Sequence, residues 1–150
     1  MSETTDLRAV ARSILDSNTF MTLATADGAG RPWASPVWYA HRDYRDFYWV
    51  SSPDATHSRN IAVRPELSIV IFDSHEAGGW KSVYLSATAE QLDDLDEGIA
   101  IFSQRSVERG LSAWTPDSVR EPAKHRLYRA TATEHFVLDP HDERIPVDPS

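Results

Sequence analysis

Five side chains able to hold an anion fall within nine residues of this chain: Ser51, Thr56, His57, Ser58 and Arg59. Hydroxyls, an imidazole and a guanidinium at that density, together with backbone N–H groups at a turn, can converge on one phosphate. They sit where the apolar run Phe47 to Val50 leads into the polar stretch Ser51 to Ile61, a strand entering a helix start. Ser52, Asp54 and Thr56 are equally ordinary helix-capping residues and Arg59 an ordinary solvated one, so the stretch alone leaves both readings open. Asp54, His57 and Ser58 contain the elements of a hydrolytic triad, but residues this close on one helix start do not reach the geometry of nucleophile, base and orienter. His141, Asp142 and Glu143 carry metal-binding atoms at poor spacing in a polar tail, so no metal site is expected there.

Composition narrows the chemistry. The 150 residues suit one domain, with 140–150 and 1–5 expected as flexible tails. Without cysteine there is no disulfide framework, thiolate metal site or cysteine nucleophile, so redox chemistry must come from a bound cofactor. A net charge of -8 argues against nucleic acid as a partner, while leaving room for a local pocket around one phosphate. No long apolar run or leader-like N-terminus occurs, so neither a membrane span nor a signal peptide is expected, and the cytoplasm is the expected compartment.

The elements that position the anion-binding group follow from periodicity. Leu7, Val10, Ala11, Ile14 and Leu15 have helical spacing from Asp6 to Ser17, with Thr5 or Asp6 as cap. Phe20 to Ala26 and Pro32 to Arg42 flank the turn-rich Asp27 to Gly30 and predict a hairpin. Pro36 removes a ladder donor in the second strand, which marks an edge, a bulge or a place where a ligand meets the backbone. Phe47 to Ser52 predicts a third strand, Pro53 to Val63 a short helix, Leu67 to Phe72 a central strand and Trp80 to Gln91 a fifth. Asp93 to Arg109 reads as a helix ended by Gly110, Leu111 to Lys124 as a loop long enough to cover a site, and His125 to Leu138 as a last strand. These elements predict a mainly β, α+β fold: a six-stranded antiparallel split β-barrel with accessory helices.

The hairpin Phe20 to Trp38, the segments Phe47 to Ser52 and Thr56 to Ile61, Arg64-Pro65 and Leu67 to Phe72 together resemble the flavin-binding split barrels related to pyridoxamine 5'-phosphate oxidase. The resemblance runs over roughly residues 8 to 138. It implies an FMN-binding oxidoreductase acting on a small molecule from a cleft between the subunits of a homodimer. By that resemblance Ala34, Ser35, Pro36, Val37 and Trp38 line the flavin ring. Trp49, Val50, Ser51, Thr56, His57, Ser58 and Arg59 complete the cofactor site on the phosphate side. Lys81 reaches the cofactor carbonyl or the phosphate bound by the other subunit, or else is a solvated strand end. Trp38 and Trp49 serve as readily as core aromatics. Many relatives carry Lys or Arg where this chain has His57, a weaker and pH-dependent phosphate partner. No catalytic acid or base is assigned, since the cofactor supplies the chemistry. The alternatives are the deazaflavin-dependent reductases of the same superfamily and a flavin- or haem-binding sensor without turnover. Vitamin B6 oxidation is not expected, because the segment Ile145 to Ser150 lacks the basic residues which the resemblance attaches to that substrate.

Overall fold

A computed structural model describes residues 5–75 and 79–150. The loop expected over 73–79 and the tail expected over 1–5 each fall partly outside them. Helix α1, Leu7–Ser17, starts on Asp6, whose carboxylate accepts the Ala9 N–H at 3.2 Å, and buries Ala11, Ile14 and Leu15 against the sheet. Strands β1 (Phe20–Ala26) and β2 (Pro32–Trp38) form the expected hairpin, with Thr22 opposite Pro36. The chain continues through β3 (Ala40–Arg42), β4 (Asp46–Ser51), α2 (Thr56–Val63), β5 (Glu66–Phe72), β6 (Ser82–Gln91), α3 (Asp96–Glu108), β7 (Arg126–Leu138) and β8 (Arg144–Pro146).

All pairings are antiparallel, and the main order across the sheet is β2-β1-β5-β6-β7-β4-β3. The strand predicted as one piece from Pro32 to Arg42 is therefore two, broken at Tyr39. Its first part pairs with β1 and its second with β4, so the outermost strands of the sheet adjoin in sequence and curl it into a split barrel. Tyr39 fixes the break: its amide donates to Thr19 O and its buried hydroxyl to Leu15 O at 2.7 Å. Counting β2 and β3 as one bent strand leaves seven strands among the described residues, the six expected and the short β8.

The strand β8 corrects the expected C-terminal tail. Beyond the reach of β4 the edge of β7 is open, and Arg144–Pro146 pair there with Phe136–Leu138. Arg8 and Arg12 of α1 then hold the carbonyls of Asp148 and Pro149. Met21, Leu23, Phe47, Trp49, Ile69, Leu85 and Leu127 are among the fully buried core side chains. Helix α3 lies over β3, β4 and β7, close enough that Gly98 touches the Tyr48 ring. The segment expected as a covering loop folds back on α3. Trp114 meets the Phe102 ring edge-on, its backbone N–H donates to Ser103 Oγ at 2.8 Å, and Pro116–Val119 form a 3₁₀ turn.

Candidate functional site

The short helix α2 crosses the barrel beside β1, β2 and β6. Asn60 ties it to β1 by donating to Thr25 Oγ1 at 3.0 Å, and Arg64 ties its end to the hairpin turn through Gly28 O. Its start is open. Ala55 occupies the N-cap and no side chain caps the first turn, since Ser52 Oγ is taken by the Asp54 amide and Arg59 is the first residue to bond back, to Ala55 O. The amides of Thr56, His57 and Ser58 thus point from the positive end of the helix toward any anion brought there. Exposed Asp54 is the one carboxylate in the turn leading into it.

The structure divides the side chains that sequence spacing had put together. His57 Nε2 lies 2.8 Å from Ser51 Oγ in a buried pair, and burial holds its pKa below the ordinary imidazole range, so the ring is neutral at neutral pH. It supplies no standing positive charge. Thr56 is exposed at the open start. Ser58 and Arg59 instead line a cleft of about 430 Å3 on the β6 and β7 side of the helix, together with Pro53, Pro65, Gln91 and Tyr128. Ser58 is 3% exposed, and its Oγ lies beside the Tyr128 hydroxyl without a well-formed hydrogen bond.

The expected ring site is an edge. Strand β2 pairs with β1 alone, so the backbone from Ala34 to Trp38 has a free side; Ala34 and Pro36 are exposed and Val37 faces the core. The Trp38 ring is stacked on Phe102 at 4.0 Å, and that packing sets its orientation. Trp49 is fully buried and stacked on Tyr128, so its side chain belongs to the core and not to a cofactor wall; Val50 is half-buried next to it. Lys81, half-buried just before β6, lies across the length of β5 from the end of α2, a run of seven residues or about 20 Å. Within one chain it does not meet the others.

Sequence reasoning missed Asn60, Gln91 and Tyr128. Gln91 and Tyr128 are partners in the β6–β7 register, 37 residues apart in sequence, and only that pairing brings them to α2.

An antiparallel sheet curled into a split barrel, with helices packed against it, defines the fold class. Residues 7–138 match the pyridoxamine 5'-phosphate oxidase family, and the chain belongs to it. It is 25% identical over 143 residues to a pyridoxine/pyridoxamine 5'-phosphate oxidase from Streptomyces avermitilis, covering 95% of this chain and 62% of that protein. The chain thus spans about three-fifths of that relative's length. Among solved structures, a haem-binding protein from Mycobacterium smegmatis superposes with a TM-score of 0.75 at 22% identity, over 97% of this chain and 59% of that one. An F420 reductase superposes with a TM-score of 0.64 at 16% identity, over 83% and 94%. These likenesses carry the fold. No helix among the described residues is long and apolar enough to cross a membrane.

Proposed function

We propose that the chain binds FMN along the free edge of β2 and works as a flavin-dependent oxidoreductase on a small organic molecule. The observation that carries the reading is the open start of α2, three uncapped amides on a helix that packs against β1 and β2, in a chain of this family. The phosphate is held by the amides of Thr56, His57 and Ser58 and by the Thr56 hydroxyl, with Ser51 and His57 behind them. The ring lies along the backbone from Ala34 to Trp38, next to Val50. Bound FMN supplies the electron or hydride transfer; the chain binds it, orients it and keeps water from one face. A dianion favours the charged form of a nearby imidazole, so His57 takes up a proton as the phosphate arrives and binding tightens as pH falls. A homodimer completes the site. The reading is supported by Phe20 and Phe72, exposed by 59% and 48% beside an outward groove of about 600 Å3.

The test is the spectrum and mass of the purified protein. A flavin absorption band at one FMN per chain, in a particle of twice the chain mass, is expected. Thr56→Glu, which puts a carboxylate at the helix start, should weaken FMN by about tenfold or more while leaving riboflavin, which has no phosphate, nearly unchanged. Equal losses of both ligands would refute the phosphate site. A deazaflavin or an iron-porphyrin band in place of flavin would move the assignment toward the F420 reductase or the haem-binding protein of the same fold.

A further inference from the structure

The cleft on the other flank of α2 is not accounted for by a cofactor on β2, because no β2 residue lines it. The geometry points to a second site, one that binds a small planar organic carboxylate. Its charge is set by Arg59: among the described residues no carboxylate pairs with that guanidinium. Glu90 also lines the cleft, but its carboxylate is held by Arg129 at 2.5 Å. A free guanidinium fork matches a carboxylate's two oxygens.

Two further donors lie together in the wall. Ser58 Oγ is buried beside the Tyr128 hydroxyl without a well-formed hydrogen bond, so the two hydroxyls can turn together toward a ligand oxygen. Burial holds the Tyr128 phenol above its ordinary range, so it keeps its proton, which goes to Gln91 Oε1 over a long 3.4 Å. That contact is weak enough to be exchanged for a carboxylate oxygen. The remaining walls are apolar, Pro53, Ile61, Ala62, Pro65 and Ala89 beside Tyr128, and they suit a ring more than a polar chain. One unpaired cation at the mouth, donors at the wall and apolar sides describe an aromatic or cyclic monocarboxylate.

Benzoate is the probe, titrated into the full chain and followed by amide NMR shifts, with benzyl alcohol as the uncharged analogue and inorganic phosphate as the charge without a ring. Saturable one-site shifts clustered at Ser58, Arg59, Gln91 and Tyr128 are expected with benzoate, and binding about tenfold weaker or less with either control. Arg59→Ala should lose benzoate about tenfold, and Tyr128→Phe should weaken benzoate with the fold intact while FMN uptake persists. Benzoate shifts scattered over the surface, unchanged affinity in Arg59→Ala, or displacement of FMN by benzoate would each overturn the second site. A chain that takes no flavin still reports on the cleft through the same titration, so this inference and the cofactor reading fail separately.

Discussion

Replacing Gly98 with alanine tests how tightly α3 is set against the barrel. A Cβ at this position would lie 2.8 Å from Tyr48 Cε1 and 3.0 Å from both Tyr48 Cδ1 and Leu127 Cδ2. Those neighbours have little room to yield, since Tyr48 is 2% and Leu127 0% exposed, each inside a paired strand. Forcing one extra carbon into a packed interface costs about 1–3 kcal/mol, and the immobility of these two side chains places the cost near the upper end. Alanine gains back up to about 1 kcal/mol of helix propensity, less at the third residue of the helix than in its middle. The balance is a loss of about 2 kcal/mol, or roughly 4–8 °C in Tm for a chain of this length. Urea unfolding followed by tryptophan fluorescence, alongside thermal melts, measures it. Leu127→Val should cost less in the Gly98→Ala background than in the wild type, because it removes one of the clashing groups. Gly98→Ala as stable as the parent, or strictly additive with Leu127→Val, would refute the close contact of helix and sheet.

Two further outcomes follow from the buried polar groups. Burial depresses the pKa values of His57 and His135 in the folded chain, whereas the unfolded chain titrates near about pH 6.5. The unfolded state therefore binds the extra protons, so the stability present above about pH 6.5 is lost as pH falls from there through the folded values. Denaturant midpoints between pH 8 and pH 5 should show this, with a flatter profile in His57→Gln. Ser51→Ala strips the Nε2 of His57 of its 2.8 Å partner in a buried site and should cost about 1–3 kcal/mol by the same melts; no loss would mean that water replaces the hydroxyl.

The parts of the fold that were legible were those with strong local periodicity. The β1–β2 hairpin and the apolar run of β5 were read almost to the residue, because alternation and turn chemistry specify them locally. The break at Tyr39 was not, since β2 and β3 continue one extended run and only their partners differ. Strand β8 was hidden by its polar, proline-containing sequence; it exists because β7 outruns β4 and leaves an edge to pair. In the site, spacing gathered Ser51, Thr56, His57, Ser58 and Arg59 around α2 but could not say which flank of the helix each occupies. Nor could it show that His57 would be neutralised by burial beside Ser51, or that Gln91 and Tyr128 would arrive through a strand register.

The bend at Tyr39 bears on how the chain avoids sticking to itself. Open antiparallel sheets expose two edges, each a template for another strand, and proteins guard them with prolines, charges and short strands. Here both edges come from a single bent segment. Pro36 blunts one side, while β3, only three residues long, terminates the other. Because the Tyr39 hydroxyl is anchored to α1 through Leu15 O, the gap between the edges cannot widen without disturbing that helix. Loosening α1 is thus expected to expose strand edges before the core itself melts, which makes the first helix the guard against aggregation.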